Sequence, residues 1–459
     1  MPAHVLAKTV AASFICALLL WPSVATAEVR KADIIAGSSV EERGLTVADC
    51  PSVDAKYAVL VDSDGTVLFA READQSSQIA SITKVMTAIV ALDNAPDDLR
   101  IAVSEAAAEV GESSANLQQG DVMDLDAALK ALLVPSGNDA AVAISEAVGA
   151  TMIAADPSLG NDPVGAFVHA MNEKAEQLGC TNTVYENPHG LDDGIYEGNL
   201  HSTAYDQAKV AQCAMGYQQI RDIVSGGSTT ITVDRNGAKA DVELETTDEL
   251  LEMYEYTIGI KTGVTDSAGP SFMGAANMDG RELYSVVLGS TDEFQRFADT
   301  KELFIWAYDH CIELSLAQSD TWSTMRAEGL SRDVPVVAAV AHGDWIDRTV
   351  PATLADPDAS IQVFDFEGNV SQSVTFDELH GTVHAGDKVG SVVYKQKNQV
   401  VAEQDLVACE TVDAPNIIDT IAIGWSRFIG LFTGAPAVAE SQVFNVMPII
   451  NSNSTNIAQ

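Results

Sequence analysis

Basic residues are scarce in this chain: 25 Lys and Arg stand against 66 Asp and Glu in 459 residues, a formal charge of −41. A surface this negative repels a polyphosphate backbone, which argues strongly against nucleic acid as a partner. Cysteine is sparse as well. Beyond Cys16, five remain (Cys50, Cys180, Cys213, Cys311 and Cys409), and they form no CxxC pair. A zinc site therefore has no support, no other metal or cofactor is implied, and the odd number leaves at least one thiol unpaired within the chain. Low-complexity segments and clear internal repeats are missing too.

Near the start, His4 and Lys8 precede an apolar run from Val10 to Leu20 and then Ala25-Thr26-Ala27, the small-x-small form of a secretory cleavage site. Residues 1–27 therefore read as a signal peptide, with a mature, exported chain from Glu28. The run is short for a span, which disfavours an uncleaved anchor. Cys16 lies inside the run rather than at its end, which argues against a lipoprotein attachment.

A chain of this length, 47% hydrophobic, can bury more than one core. Tyr57 to Val61 and Thr66 to Phe69 flank Asp62-Ser63-Asp64-Gly65 and read as a hairpin. Helical spacing follows over residues 124–134, 138–149, 164–178 and 203–214, and strands return at 257–261, 271–277 and 283–288. Two strands before a helical block and three after it predict an α+β domain, residues 28–312, with one five-stranded antiparallel sheet and helices on its faces. A last helix is expected near 292–309. Short alternating runs at 334–340, 361–366, 373–376, 389–395 and 399–406 predict a small all-β, sandwich-like domain over residues 313–410, followed by a tail, 411–459.

The chemistry begins at Ser81-Ile82-Thr83-Lys84, which opens a run with apolar residues at helical spacing. A serine hydroxyl needs a base, and an amine three residues along the same helix can reach it if burial keeps that amine neutral. Taken alone, the tetrapeptide is explained as well by an ordinary helix cap. Two more motifs follow: Ser136-Gly137-Asn138 between two helices, and Lys261-Thr262-Gly263 at a strand end. S-x-x-K, then S-x-N, then K-T-G on a strand is the motif set of penicillin-binding proteins and class A β-lactamases.

Tyr57 to Asp62, Gly111-Glu112-Ser113, Pro135 to Ala141, Asn187-Pro188-His189-Gly190-Leu191, Ser202 to Asp206 and Val286 to Gly289 extend the likeness. Residues from about 50 to 310 resemble the D-alanyl-D-alanine carboxypeptidases, low-molecular-mass penicillin-binding proteins of β-lactamase/transpeptidase-like fold. The resemblance implies that Ser81 attacks the bond between the last two D-alanines of a peptidoglycan stem peptide, and that β-lactams are covalent inhibitors. Lys84 would take the serine proton, its own pKa lowered by burial and by Lys261, and Ser136 would relay a proton to the departing amine. It further implies that Asn138 orients Lys84 and the substrate backbone, that Thr262 meets the terminal carboxylate, and that Gly263 lets substrate lie against the strand. The N–H groups of Ser81 and Val264 would form the oxyanion hole. Arg296 matches a family arginine near the substrate carboxylate, and an exposed helix arginine explains it equally well. His189 reads first as part of a turn. Pro270, following Ala268-Gly269, departs from the usual family pattern and removes a strand donor, so that edge of the cleft is expected to differ in detail.

Two other readings stand beside this one. A β-lactamase would need a deacylating glutamate, and no E-x-x-L-N segment lies between Ser136 and Lys261. A non-catalytic stem-peptide-binding wall protein would have no need of both lysines. In the tail, Ile417, Ile418, Ile421, Trp425, Phe428, Ile429 and Phe432 share one helical face, which predicts a helix lying on a membrane surface; the alternative is a helix packed on the β-domain.

Overall fold

The computed structural model describes residues 33–327 and 330–450, so the expected signal peptide, residues 1–27, lies outside the described residues. Tyr57–Asp62 (β1) and Val67–Arg71 (β2) form the expected hairpin. Its turn closes because Asp62 Oδ1 accepts the N–H groups of Asp64 and Thr66 while Gly65 adopts a φ of 82°. After the helical block come Thr257–Gly263 (β3), Ser271–Met278 (β4) and Arg281–Leu288 (β5). The antiparallel order β2-β1-β5-β4-β3 joins segments more than 200 positions apart, as the reading of five strands requires. Two short strands, Ile34–Ile35 and Ser38–Ser39, extend it beyond β2 into a sheet of seven.

Side-chain alternation divides this sheet between two cores. Val59 and Val61 face the helices Thr83–Asn94 (α1), Leu125–Leu133 (α2), Asn138–Ala155 (α3), Pro163–Gln177 (α4) and Ala204–Met215 (α5). Ala58 and Leu60 face Gln295–Asp309 (α6), which contributes Phe297, Leu303, Phe304 and Trp306. Helices thus cover both faces. A second sheet that the sequence reading passed over joins Ile101–Ala102, Asp121–Met123, Thr229–Arg235 and Ala238–Leu244. Its hairpin carried a signal, Asn236-Gly237 between alternating Ile231, Val233 and Val242, Leu244.

The C-terminal region is all β. Its sheet runs in the order Ser371–Phe376, Lys388–Gln396, Gln399–Ala408, Thr349–Leu354, Ala338–Ala341, Gln442–Val443. The run expected as one strand over 334–340 is split between a separate ribbon, Trp322–Ala327 with Leu330–Pro335, and this sheet. Cys311–Ser315 pairs with Ser360–Phe364, so the expected boundary at 312 falls inside a strand. The tail is also more than a tail. After the helix Ile417–Thr433 (α7), the chain returns to add Gln442–Val443 to the sheet edge, and Asn445 is buried against Leu316, Gln372 and Tyr394. The five cysteines from Cys50 to Cys409 are free thiols.

Candidate active site

Ser81 sits in a single 3-10 turn, Ala80–Ile82, that runs directly into α1. The turn is tight: Ala80 takes a φ of 47°, and the 187–191 loop presses on it from outside. Gly190, at a φ of 92°, makes that approach possible, because a Cβ there would lie 1.9 Å from the Ala80 carbonyl oxygen. Asn187 Oδ1 holds the loop by accepting the Gly190 N–H at 2.6 Å.

Lys84 follows one turn later and is fully buried. Its Nζ lies 2.7 Å from Ser81 Oγ and donates to the His189 carbonyl at 2.8 Å. Burial first, then the Lys261 cation, push this amine well below the ordinary lysine range, while Asp139 pulls the other way. A neutral amine 2.7 Å from a hydroxyl is a base in contact with its proton donor. The His189 ring is pushed down to about 3, by burial and then by Lys84, so the imidazole stays neutral. Its Nδ1 accepts the Leu191 N–H, and the loop's contact with Lys84 is the backbone carbonyl, which carries no residue-type signal.

The Ser136-Gly137-Asn138 segment links α2 to α3, with Ser136 held at a φ of 66°. Asn138 departs from the expectation that it orients Lys84. Its Nδ2 donates to the Gly111 carbonyl at 3.0 Å, and its Oδ1 is buried with no protein partner, so it accepts nothing from Lys84. Lys84 is oriented by the 187–191 loop instead. Asp139, which sequence reasoning missed, accepts from Ser114 Oγ and from the N–H groups of Ala115 and Leu117, pinning the facing loop to the start of α3.

On β3, Lys261 is buried and its Nζ lies 3.2 Å from Thr262 Oγ1 and 3.1 Å from the Thr262 carbonyl. Burial, then Arg296, lower its pKa to about 7; Asp248 opposes them. Gly263 has a structural reason beyond the one expected, since a Cβ there would meet the Ile79 carbonyl at 2.9 Å and the Ile82 nitrogen at 3.2 Å. Bare backbone at this point lets the strand edge dock against the nucleophile turn. Arg296, on α6, is 5% exposed, which removes the exposed-arginine alternative. Its Nη1 approaches the Gly263 carbonyl at 3.5 Å and its guanidinium lies over the Phe297 ring.

These residues meet at one cleft of about 550 Å³, lined among others by Ser81, Ser136, Asn138, Thr262, Gly263, Val264 and Arg296. Lys84 and Lys261 are buried, each within hydrogen-bond reach of a hydroxyl that lines the cleft, Ser81 and Thr262 respectively. Three motifs separated by about 50 positions or more therefore converge on a single opening, where Ser81 Oγ and Lys84 Nζ are 2.7 Å apart.

The fold and this cleft define a DD-peptidase of the penicillin-recognising class, a serine acyl-transfer enzyme. The chain belongs to the D-alanyl-D-alanine carboxypeptidase family, peptidase family S11, whose model matches residues 45–292. It is 27% identical to the D-alanyl-D-alanine carboxypeptidase DacF of Bacillus subtilis over 82% of this chain and 91% of that protein. Identity to the D-alanyl-D-alanine carboxypeptidase DacB2 of Mycobacterium tuberculosis is 32% over 51% of this chain and 74% of the relative. Among solved structures, the Streptomyces K15 DD-transpeptidase matches at 28% identity and a TM-score of 0.52, covering 56% of this chain and 98% of that one. The D-alanyl-D-alanine carboxypeptidase DacD of Francisella tularensis, at 22% identity and a TM-score of 0.52, shares the fold over 79% of this chain and 94% of its own.

Proposed function

We propose that this enzyme removes the terminal D-alanine from peptidoglycan stem peptides through an acyl-enzyme on Ser81. Ser81 Oγ attacks the carbonyl between the last two D-alanines as its proton passes to neutral Lys84 Nζ. The N–H groups of Ser81 and Val264 hold the oxyanion, and Ser136 relays a proton to the amine as the C–N bond breaks and D-alanine leaves. Lys261, Thr262 and Arg296 receive the terminal carboxylate, and the unpartnered Asn138 Oδ1 is free to accept a substrate amide N–H. Water then attacks the ester, releasing the shortened peptide and restoring the Ser81 hydroxyl. The observation that carries this reading is the 2.7 Å contact between a buried, proton-poor Lys84 and Ser81.

Intact mass after benzylpenicillin treatment, with peptide mapping, tests it alongside D-alanine release from diacetyl-Lys-D-Ala-D-Ala. We expect one stable adduct on Ser81, release by the native enzyme, and loss of both in Ser81→Ala. Rapid penicillin turnover selects the β-lactamase, absence of both activities selects the binding protein, and an adduct on Ser136 overturns the assignment.

The domain reading proposed with it is export directed by residues 1–27, a catalytic domain to about residue 310, and an all-β domain from there to residue 450, with α7 inserted near its end. We further propose that α7 rests on a membrane surface. Its apolar residues are exposed, Ile417 at 81% and Phe432 at 77%, so among the described residues the packed-helix alternative finds no partner for that face. What ties the helix to the β-domain is Arg427, which donates to the Gly343 and Ala437 carbonyls. Among the described residues no helix is long and apolar enough to cross a membrane.

A further inference from the structure

Just ahead of the K-T-G strand, the chain passes through Thr246-Thr247-Asp248 before the short helix Leu250–Met253. This segment is joined to the strand by side chains. Thr247 Oγ1 lies 2.7 Å from Thr262 Oγ1, the hydroxyl that also accepts from Lys261 Nζ at 3.2 Å. The adjoining Asp248 is only 6% exposed. Its Oδ1 accepts the Leu250 N–H at 2.9 Å and the Leu251 N–H also favours the ionised carboxylate, but its buried Oδ2 makes no well-formed hydrogen bond.

Capping a turn needs one oxygen. A second, unpaired carboxylate oxygen out of water is costly unless opposite charge compensates it. Two buried cations act on Asp248: Lys261 from β3 and Arg296 from α6, whose Nε is likewise buried and unpartnered. The other charges around this group are Glu249 beside it and Glu293 on the α6 side, both exposed and both acting on Arg296, and Lys84 on α1, which Lys261 repels.

We propose that Asp248 is a positioning residue for this cleft, its buried carboxylate being the counter-charge that, when ionised, keeps Lys261 protonated beside the Thr262 hydroxyl that meets the substrate carboxylate. The inference rests on the carboxypeptidase reading above. Burial drives Lys261 down to about 7 and Asp248 up to about 7, so the pair changes charge over one interval and each ionised form supports the other. Without the carboxylate, Lys261 gives up its proton at lower pH. The cleft then loses a buried positive charge beside the Thr262 hydroxyl that lines it, and Lys84 loses the repulsion that helps keep it neutral.

Asp248→Asn separates this role from capping, because the amide retains an oxygen for the Leu250 N–H and removes only the charge. The alkaline limb of kcat/KM for D-alanine release should move down by about one pH unit, and the second-order rate of penicillin acylation should follow it. That is a loss of about tenfold at about pH 8, shrinking toward the native value at about pH 6. Asp248→Glu, which keeps the charge, should bring the limb back toward its native position. If the Asn variant folds poorly, Asp248→Ser keeps an oxygen acceptor and carries the same expectation. A profile that superimposes on that of an active native enzyme, or one lowered by the same factor at every pH, overturns this inference alone. A native enzyme that releases no D-alanine at any pH overturns the carboxypeptidase reading and this inference with it.

Discussion

The catalytic cleft and α7 invert the usual partition of side chains in opposite senses. In the cleft, Lys84, Lys261, Arg296 and Asp248 are taken out of water; on α7, Ile417, Ile421, Trp425, Phe428 and Phe432 are left in it. Charged groups are rarely buried and contiguous apolar faces are rarely exposed, so each inversion marks work done by that region. The remedies differ. Inside the cleft, burial favours the neutral form of Lys84, the state the proposed role as base requires. On the helix no described residue covers the apolar face, and each large apolar side chain left exposed forgoes about 1.5–3 kcal/mol relative to burial. The first inversion is resolved within the cleft, whereas the second is what supports the membrane-surface proposal for α7.

The strongest way to break the cleft side of this comparison is to remove its two amines separately. Lys84→Ala should lower acylation at saturating substrate by roughly 10²–10⁴-fold, the usual worth of a positioned base. Lys261→Ala should weaken substrate binding as well as acylation, so the two variants should differ in how kcat and KM share the loss. Steady-state kinetics with the tripeptide resolve this, and matching, purely binding-type defects would refute the assigned roles. The native pH profile follows from the same shifts. Lys84 is depressed and must be neutral, so activity falls as acid protonates it. Lys261, near 7 in the free enzyme, must be charged, so kcat/KM falls again as pH rises past that value.

How much of this was legible beforehand divides along contact range. Ser81, Lys84, Ser136, Lys261 and Thr262 were visible because acyl transfer constrains residue type and spacing together. The five strands were visible because short apolar runs bounded by turn residues mark them on either side of the gap from Arg71 to Thr257. The Lys84 contact with the His189 carbonyl was not, since any residue supplies a carbonyl. Gly263 was explained only in part, because its second neighbour, the Ile79–Ile82 turn, lies about 180 positions away. The return of residues 442–450 was hidden for a related reason: Asn445 looks like an ordinary polar tail residue until Leu316 and Tyr394, far off in sequence, come round it.

A smaller effect sharpens the comparison at the level of glycine. Gly190→Ala forces a Cβ into the Ala80 carbonyl at a left-handed φ and should cost about 3 kcal/mol, read as a lower Tm, with slower penicillin acylation because the Ser81 turn is displaced. Gly424→Ala, within α7, places its Cβ where nothing lies within 4 Å. It should be neutral or stabilise the helix by up to about 1 kcal/mol and leave acylation unchanged. Equal penalties at the two sites would mean that the nucleophile turn is no more tightly constrained than a solvent-facing helix.

The mildest change to the enzyme itself is expected where the second inversion is removed. Truncation after Glu410 is a poor probe, since it would also take away the Gln442–Val443 strand and the buried Asn445. Ile421→Asp with Phe428→Asp leaves those in place and puts two charges on the exposed face of α7. Such charges belong in water, not among acyl chains, so the variant should move from the membrane fraction to the soluble one and lose binding to neutral lipid vesicles. D-alanine release from a soluble tripeptide should stay within about twofold of native, because the helix meets the β-domain through Arg427 and takes no part in the cleft. Arg427 is the one basic residue of the helix, and its guanidinium is already engaged with the Gly343 carbonyl. Attachment of the native protein should therefore resist high salt and gain little from anionic lipid. If native protein with α7 intact stays soluble and ignores vesicles in low salt, the exposed face serves something other than a bilayer, and the comparison drawn between the two inversions fails on this side.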